Sequence, residues 1–273
     1  MELLALQASW ISYGPGGRYT GYLAKPSASA GPLPAVIVIQ EIWGVDPHIQ
    51  DVTNRFAMAG YAAFAPDLYA LDGKHPAPLE PERVASLKGF MDTLPVGGWG
   101  NQEAREEALA AKPGHERKEL EETHAAIFGM DIPGYLQRVK AAAAYLRDEE
   151  PASKGRKVGS VGYCLGGALS AQLACLDPQL SAAVIYYGNA PQADQLGGIQ
   201  CPVAGFYGGK DARITDAMPA FAEAMKAAGK TFAARVYPEA PHAFFNDTRP
   251  SYRADAARDA FSRTLAFLNE QLS

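Results

Sequence analysis

Short runs of apolar residues alternate with longer segments of helical periodicity over most of the chain. The run 35–39 (Ala-Val-Ile-Val-Ile) has no polar position, which is typical of a strand buried on both faces of a parallel sheet. Strands are predicted at 35–39, 61–65, 157–162, 182–187, 203–207 and 232–237. Helices are predicted at 48–59, 135–146, 165–175, 216–228 and 252–272. This alternation predicts βαβ units and an α/β fold, with a mainly parallel, doubly wound sheet covered by helices on both faces.

The N-terminal segment has a different pattern. Residues 3–12 and 18–24 alternate in polarity on either side of a Gly-Pro-Gly-Gly turn at 14–17. Alternating segments joined by a tight turn predict an antiparallel hairpin at the start of the sheet.

Residues 70–130 interrupt the alternation of strands and helices. They are rich in proline, glycine and charged residues. Their sequence pattern predicts only short helices, near 81–91, 102–111 and 116–127. The segment is too long for an ordinary connection and too poor in apolar pattern for a domain of its own. We therefore expect one domain over residues 1–273 with a long insertion, which serves as a lid or an association interface. A solvated surface insertion is the alternative.

Composition narrows the choice of partner and compartment. The 273 residues carry a net charge of -5 at pH 7, which gives no reason to expect nucleic acid or an anionic membrane as a partner. No stretch approaches the roughly 18 apolar residues of a membrane span, and the N-terminus lacks the pattern of an export signal. Cys164 and Cys175 lie about 16 Å apart along one predicted helix, too far for a disulfide. We expect a cytoplasmic protein, as a monomer or a homodimer.

The segment Gly162-Tyr163-Cys164-Leu165-Gly166 joins a predicted strand to a predicted helix. A strand, a sharp glycine-flanked turn and a helix make up a nucleophile elbow, with the nucleophile at the central position. The N-terminus of a helix also favours a thiolate. Cys164 is therefore the candidate nucleophile, and a buried inert cysteine is the alternative.

Two more strand ends supply an acid and a base. Asp211 follows the strand at 203–207, and His242 follows the strand at 232–237. Nucleophile, acid and base thus occur in the chain order of the α/β-hydrolase triad. Histidine is suited to exchange a proton near neutral pH, and Asp211 would fix its tautomer. Asp216 is the nearest rival acid, but its position indicates the N-cap of the helix at 216–228.

Backbone groups near the elbow are expected to stabilise an oxyanion. The N–H group of Leu165 follows the nucleophile, and that of Ile42 follows the first buried strand. Glu41 stands beside Ile42, where a carboxylate directed at the thiol would keep it protonated or accept its hydrogen bond. A salt-bridged or solvent-facing glutamate is the alternative.

The substrate is expected to be a small molecule. Trp43, Tyr163 and Phe244 are candidates for the walls of its pocket, and packing in the core is the alternative for each of them. No pair of histidines has the spacing of metal ligands, so we expect neither a metal nor a cofactor.

Five segments resemble the dienelactone hydrolase (carboxymethylenebutenolidase) family. They are Gln40-Glu41-Ile42-Trp43-Gly44, Ala65-Pro66-Asp67-Leu68-Tyr69, Gly162-Tyr163-Cys164-Leu165-Gly166-Gly167, Gly208-Gly209-Lys210-Asp211 and His242-Ala243-Phe244. The resemblance implies an α/β-hydrolase fold and a Cys164–Asp211–His242 triad that hydrolyses esters or lactones. It also implies that Glu41 interacts with the resting thiol and moves away when substrate binds.

The chain departs from the family at the substrate pocket. Well-studied members bind the carboxylate of a dienelactone with arginines, one of them four residues after the catalytic histidine, where this chain has Asn246. Arg249 is a candidate substitute for that arginine, but the nearby Asp247 argues against a strongly anion-seeking pocket. We therefore expect an ester or lactone hydrolase whose substrate the sequence does not name. The alternatives are a promiscuous esterase of aryl or phosphate esters, a non-catalytic binding protein and a redox thiol protein.

Overall fold

A computed structural model describes residues 5–94 and 101–273, which form an eight-stranded mixed sheet in the order β1-β2-β4-β3-β5-β6-β7-β8. The strands are β1 (Leu6–Tyr13), β2 (Tyr19–Pro26), β3 (Ala35–Ile39), β4 (Ala62–Pro66), β5 (Val158–Tyr163), β6 (Ala182–Tyr186), β7 (Val203–Gly208) and β8 (Phe232–Tyr237). The pairs β1–β2 and β2–β4 are antiparallel, and the strands from β4 to β8 are parallel. The predicted parallel sheet and its N-terminal hairpin are confirmed.

The helices occupy nine segments of the described ranges. They are α1 (Pro47–Met58), α2 (Pro81–Asp92), α3 (Gln102–Ala110), α4 (Gly114–Phe128), α5 (Ile132–Asp148), α6 (Leu165–Leu176), α7 (Ala212–Thr215), α8 (Met218–Ala227) and α9 (Ala254–Leu272).

Strand β3 is apolar at every position because both of its faces are covered. Ile37 and Ile39 belong to a core cluster that includes side chains of α5, α6 and α8. Val36 and Val38 belong to the cluster on the opposite face, with side chains of α1 and α9. Successive side chains of a strand point to opposite faces, so an unbroken apolar run fits a sheet with helices on both sides.

The helices of the insertion pack against the main core. Leu87 of α2, Leu109 of α3 and Leu120 of α4 are buried in the same cluster as Ile37 of the central strand. These three helices of the insertion therefore share one buried cluster with the central sheet. Residues 95–100, which the predicted insertion includes, lie outside the described residues.

One predicted helix start is wrong. Asp216 was expected to cap a helix over 216–228, but it instead follows the single turn α7, and α8 begins at Met218 without a side-chain cap. Pro219 lies in the first turn of α8. Asp216 cannot serve as an N-cap because it has the helical angles φ -65° and ψ -24° and its N–H group donates to the carbonyl of Ala212, which closes α7.

The described residues show neither a membrane-spanning helix nor a metal-binding cluster. Within residues 5–94 and 101–273, every helix is too short or too polar to span a bilayer. In the same ranges, no group of three or more His, Cys, Asp and Glu side chains is placed to hold a metal ion.

Candidate active site

The turn between β5 and α6 holds Cys164 in a strained conformation, with φ 55° and ψ -114°. Non-glycine residues rarely adopt a positive φ, and such residues concentrate at functional sites. The flanking glycines make the turn possible. A Cβ atom on Gly162 would lie 1.8 Å from the carbonyl oxygen of Gly166, and one on Gly166 would lie 2.2 Å from that of Ile39. The start of α6 therefore packs directly against the end of β3.

Hydrogen bonds fix the elbow to the sheet. The Cys164 N–H group donates to the carbonyl of Tyr186 at 3.0 Å, which ties the turn to β6. The buried hydroxyls of Ser160 and Ser170 lie 2.8 Å apart and link β5 to α6. The thiol is consequently mounted on rigid elements, which is the arrangement that precise catalytic geometry needs.

The structure brings Cys164, His242 and Asp211 together at the carboxyl ends of the parallel strands. The Nε2 atom of His242 lies 3.2 Å from the Sγ atom of Cys164. The Nδ1 atom of the same ring lies 2.5 Å from the Oδ2 atom of Asp211. Asp211 is buried, and the His242 side chain is 31% exposed. A nucleophile, a base within hydrogen-bond reach and an acid that orients the base form the constellation expected for covalent catalysis.

The surroundings of His242 favour its protonated form. Burial by itself would lower the pKa of the imidazole, but the charge of the Cys164 thiolate and the hydrogen bond to Asp211 raise it to about 10. The imidazolium is therefore stable through neutral pH when the thiol is ionised. A thiolate beside an imidazolium is the reactive form of a catalytic cysteine.

The loop that carries His242 is anchored to α1. Asp247 lies 3.0 Å from Nδ1 of His48 and 2.5 Å from the Arg55 guanidinium. Burial opposes ionisation of Asp247, but Arg55 and His48 lower its pKa. Asp247 thus holds the loop in place and is not directed at the thiol. His48 is buried at this anchor.

Glu41 is buried at the end of β3, with 2% of its surface exposed. Its Oε2 atom accepts a hydrogen bond from Nδ2 of Asn246 at 2.6 Å, and its Oε1 atom accepts one from the Tyr187 hydroxyl at 3.2 Å. The alternative of a solvent-facing glutamate therefore does not describe this side chain. The hydrogen bond of Cys164 goes to His242 rather than to Glu41.

The two predicted oxyanion donors lie on segments that pack together. Leu165 opens α6, and Ile42 follows β3, against whose end Gly166 packs. The carbonyl of Ile42 accepts a hydrogen bond from the Tyr69 hydroxyl at 2.8 Å, which fixes the peptide after Ile42. Gln40 accepts a bond from the N–H group of Leu68 at 3.1 Å and holds the same loop.

The three predicted pocket aromatics have different positions. Trp43 borders a cleft of about 560 Å³. Tyr163 and Phe244 are fully buried in the cluster beneath the elbow. Tyr163 stacks on Phe245 with ring centroids 5.1 Å apart, and Phe244 packs on Tyr187 at 5.4 Å. The structure therefore places Tyr163 and Phe244 in the core and not on the pocket wall, because their strand and loop direct them beneath the sheet edge.

The cleft beside Trp43 is built largely from apolar surface and from α2 of the insertion. Its lining includes Trp10, Trp43, Tyr69, Leu79, Val84 and Lys88. Its cationic neighbours are paired. The Lys88 ammonium lies 2.8 Å from Asp46, and Arg249 lies 2.9 Å from Asp92 with its guanidinium over the Trp43 ring.

Three residues at the site were not assigned a role from sequence. Asp67, at the end of β4, accepts a hydrogen bond from His75 at 2.8 Å. Tyr187 and Asn246 bond to Glu41. Asp67 was visible as a strand-end carboxylate, but its partner lies in the insertion. No sequence signal connects Asn246 to Glu41.

Known proteins resemble the chain over most of its length. The family model described as "Dienelactone hydrolase family" matches residues 19–272. The Escherichia coli (strain K12) protein named "Putative carboxymethylenebutenolidase" is 31% identical over 266 residues, covering 93% of this chain and 83% of its own. The protein of the same name from Saccharolobus solfataricus is 31% identical over 260 residues, covering 93% of this chain and 94% of its own.

Solved structures share the architecture. The crystal structure of the "Putative Dienelactone Hydrolase" from Klebsiella pneumoniae subsp. pneumoniae has a TM-score of 0.72 and 30% identity, covering 97% of this chain and 99% of that chain. The "Dienelactone Hydrolase-like Promiscuous Phospotriesterase" from metagenomic libraries has a TM-score of 0.71 at 22% identity, covering 98% and 100%. The second likeness concerns the fold alone. The predicted α/β-hydrolase fold is confirmed.

Proposed function

The chain belongs to the dienelactone hydrolase family and is a hydrolase of ester or lactone bonds, and we propose that it works through an acyl-enzyme on Cys164. The observation that carries this proposal is the position of His242, whose two ring nitrogens lie 3.2 Å from the Cys164 sulfur and 2.5 Å from the Asp211 carboxylate. A nucleophile, a base and an orienting acid in mutual contact are what acyl transfer requires.

The reaction has two stages. In the first, the Cys164 thiolate attacks the carbonyl carbon of the substrate, and a C–S bond forms while the carbonyl electrons move to oxygen. The tetrahedral intermediate then collapses, the C–O bond to the leaving group breaks, and His242 gives its proton to the departing alkoxide. In the second stage, His242 takes a proton from water, and the hydroxide cleaves the thioester to release the acid and restore the thiolate.

The developing negative charge is stabilised by the backbone. The N–H groups of Leu165 and Ile42 would donate to the oxyanion, since the start of α6 and the end of β3 pack together at this point. The helix N-terminus at Leu165 adds a favourable dipole. Asp211 stabilises the imidazolium and keeps its ring oriented in both stages.

Glu41 has a regulatory role in this proposal, as the resemblance implies. A carboxylate near the thiol disfavours the thiolate when it is free to approach, and it permits the thiolate when its charge is held elsewhere. Its hydrogen bonds to Asn246 and Tyr187 support the second state.

Uncharged small esters or lactones fit the cleft best. Trp43 directly follows Ile42 and also borders the cleft, so the cleft adjoins the segment of one proposed oxyanion donor, although its lining includes neither Cys164 nor His242. The nearby cations already have carboxylate partners, Lys88 with Asp46 and Arg249 with Asp92. Burying a substrate carboxylate without a free cation is costly. In this proposal, α2 of the insertion forms one side of the substrate cleft.

A cytoplasmic setting is part of this proposal. The three cysteines are free, which supports a reducing cytoplasm as the place of action.

Hydrolysis of a short-chain p-nitrophenyl ester tests the proposal. The variant Cys164→Ala should lose activity by at least about 10³-fold, in the range of nucleophile removal. Cys175→Ala is the matched control, since this thiol lies eleven positions along α6 from Cys164, and it should retain the parental rate. A Cys164→Ala protein that still turns over the ester would rule out the acyl-enzyme. A thiol that is unreactive towards iodoacetamide would favour a non-catalytic binding protein.

A substrate pair tests the charge preference. Two aryl esters that differ only in bearing a free carboxylate or its methyl ester should differ by about tenfold or more in kcat/KM, in favour of the neutral one. A preference for the anionic ester would contradict the assignment of the cleft.

A further inference from the structure

We propose that Asn246 is a positioning residue that holds the Glu41 carboxylate, so that Cys164 is paired with His242 before any substrate binds. The inference rests on the proposed function, because it concerns how the thiol of that site is activated. The inference also assigns a role to a neutral side chain, Asn246, on the same loop as His242.

The orientation of the Asn246 amide is determined by its neighbours. Its Oδ1 atom accepts hydrogen bonds from the N–H group of Thr248 at 3.0 Å and from the Thr248 hydroxyl at 2.7 Å. A backbone N–H can only donate, so the carbonyl side of the amide must face Thr248. The amino side then faces Glu41, where it donates to Oε2 at 2.6 Å. Asn246 is fully buried, so water does not compete for these bonds.

The second oxygen of Glu41 is held by Tyr187. Its hydroxyl lies 3.2 Å from Oε1, and Tyr187 has the unusual φ of 39° directly after β6. The ring of Tyr187 also packs edge-on against the ring of His242, with centroids 5.1 Å apart. Each oxygen of the buried carboxylate thus receives a hydrogen bond from a neutral donor.

The carboxylate and the thiol are connected through Tyr187 and His242: the Tyr187 hydroxyl lies 3.2 Å from Oε1 of Glu41, its ring packs on that of His242, and Nε2 of His242 lies 3.2 Å from Sγ of Cys164. Burial raises the pKa of Tyr187, and the negative charges of Glu41 and Cys164 both raise it further, so one hydroxyl senses both groups. The titratable groups that face Cys164 or its neighbour Tyr187 are His242 after β8, Tyr69 after β4 and Glu41 after β3. Among these, Glu41 is the carboxylate, and a carboxylate that reaches the thiol competes with His242 for its proton.

Asn246 prevents that competition. The Asn246 amide holds Oε2 in place, and in this arrangement the hydrogen bond of Cys164 goes to His242 at 3.2 Å and not to Glu41. The amide is part of the protein, so the thiol is activated without help from a charged group on the substrate. This accords with a cleft whose cations are already paired.

The pH dependence of alkylation by iodoacetamide tests the inference directly. The thiolate attacks the methylene carbon and iodide leaves, so the rate follows the ionised fraction of the thiol. Burial raises the pKa of Cys175 to about 11 and that of Cys201 to about 12, so labelling near neutral pH reports Cys164. The Cys164→Ala protein gives the background.

Four proteins form a double-mutant cycle: the parent, Asn246→Leu, Glu41→Gln and the double variant. Leucine fills a similar volume but cannot donate to Glu41. We expect Asn246→Leu to move the alkylation midpoint up by about one pH unit and to slow labelling near neutral pH about tenfold. The double variant should behave like Glu41→Gln, because a neutral amide at position 41 no longer opposes the thiolate.

Two results would overturn the inference. One is an unchanged midpoint in folded Asn246→Leu. The other is a shift of equal size in the Glu41→Gln background, which would mean that Asn246 acts on packing and not through the carboxylate. If Asn246→Leu does not fold, the Thr248→Val variant tests the inference instead. It removes the hydrogen bond from the Thr248 hydroxyl to the Asn246 amide, and it should raise the alkylation midpoint by a smaller amount. An unchanged midpoint in Thr248→Val would then overturn the inference.

The test is separate from that of the proposed function. Alkylation measures the state of the thiol and needs no ester turnover. If Cys164→Ala still hydrolyses esters, the acyl-enzyme fails, while the double-mutant cycle still decides whether Asn246 controls the thiol through Glu41.

Discussion

Replacing Asp211 by asparagine should disable the catalytic base without changing the shape of the site. The two side chains are nearly isosteric, and the backbone carbonyl of Asp211, which accepts the first hydrogen bonds of α7, is untouched. What is lost is the negative charge whose oxygen lies 2.5 Å from Nδ1 of His242. An amide directed at this nitrogen also favours the wrong tautomer, with the proton on the nitrogen that should accept it.

The size of the loss follows from the geometry. The charges of a carboxylate and an imidazolium are spread over several atoms, so a 2.5 Å contact places their centres about 4 Å apart. At an effective dielectric constant of about 20, their attraction is about 4 kcal/mol. If this stabilisation is lost in the transition state, kcat/KM falls by about 10³-fold.

Ester hydrolysis and an NMR titration measure the two consequences. We expect the stated fall in kcat/KM, and we expect the pKa of His242 to drop from about 10 by at least about one unit, because the hydrogen bond to Asp211 helps to raise it. The imidazolium would then lose its proton at lower pH, and the alkaline limb of the activity profile would move with it. Asp216→Asn, the same chemical change five positions along the chain, is the control and should leave both quantities unchanged. A loss of less than tenfold in folded Asp211→Asn would refute the reasoning.

Three other predictions concern the elbow, the insertion and the cleft. Gly166→Ala should lower the free energy of unfolding by about 3 kcal/mol in a denaturant titration, since its Cβ atom would lie 2.2 Å from the carbonyl oxygen of Ile39; a loss below about 1 kcal/mol would contradict the close packing. The hydrogen bond to Asp67 raises the pKa of His75 above its usual 6.5, so its contribution to stability is complete below pH 6.5 and is lost as the pH rises through the raised pKa. His75→Gln should therefore cost about 1–2 kcal/mol near pH 6 and less near pH 8, and a cost that does not depend on pH would count against the ion pair. Trp43→Ala should raise KM for aryl esters about tenfold while changing that for small alkyl esters little, and equal changes would remove Trp43 from the substrate cleft.

The sheet was predictable because its strands have to be apolar on both faces. The run 35–39 has this character, and its residues alternate between the two core clusters of the structure. Gly162 and Gly166 were equally informative, since the tight turn around Cys164 leaves no room for a side chain at either position. Apolar strands and sterically required glycines are therefore visible in the sequence, and they were enough to predict where the elbow lies and which residues follow the strands.

The positions of the aromatic residues were less predictable. Tyr163 and Val161 lie two residues apart on β5 and belong to the same core cluster. The alternation of side chains along the strand therefore predicts that Tyr163 is buried, whereas its position next to Cys164 wrongly suggests that it lines the pocket. Phe244 follows Ala243, whose φ of 58° redirects the chain. An alanine carries no sequence signal for such a turn, and the burial of Phe244 is therefore visible only in the structure.

Contacts between distant segments were beyond the reach of sequence patterns. Glu41 and Asn246 are separated by 205 positions, and the hydrogen bond between them depends on how two loops meet above the sheet. The sequence shows that position 246 departs from the family pattern, but it does not show that Asn246 is hydrogen-bonded to Glu41. The same holds for Asp67 and His75, which meet only because the insertion folds back onto the end of β4.

Trapping of the acyl-enzyme tests the central claim most directly. The protein is mixed with a short-chain p-nitrophenyl ester, quenched in acid during turnover, digested and analysed by mass spectrometry. The account predicts one acyl group on the peptide that contains Cys164, formed and lost at rates consistent with turnover, and its accumulation in a His242→Ala protein if acylation still occurs. Turnover by the parent with no acyl group on Cys164, or with the acyl group on another residue, would contradict the account.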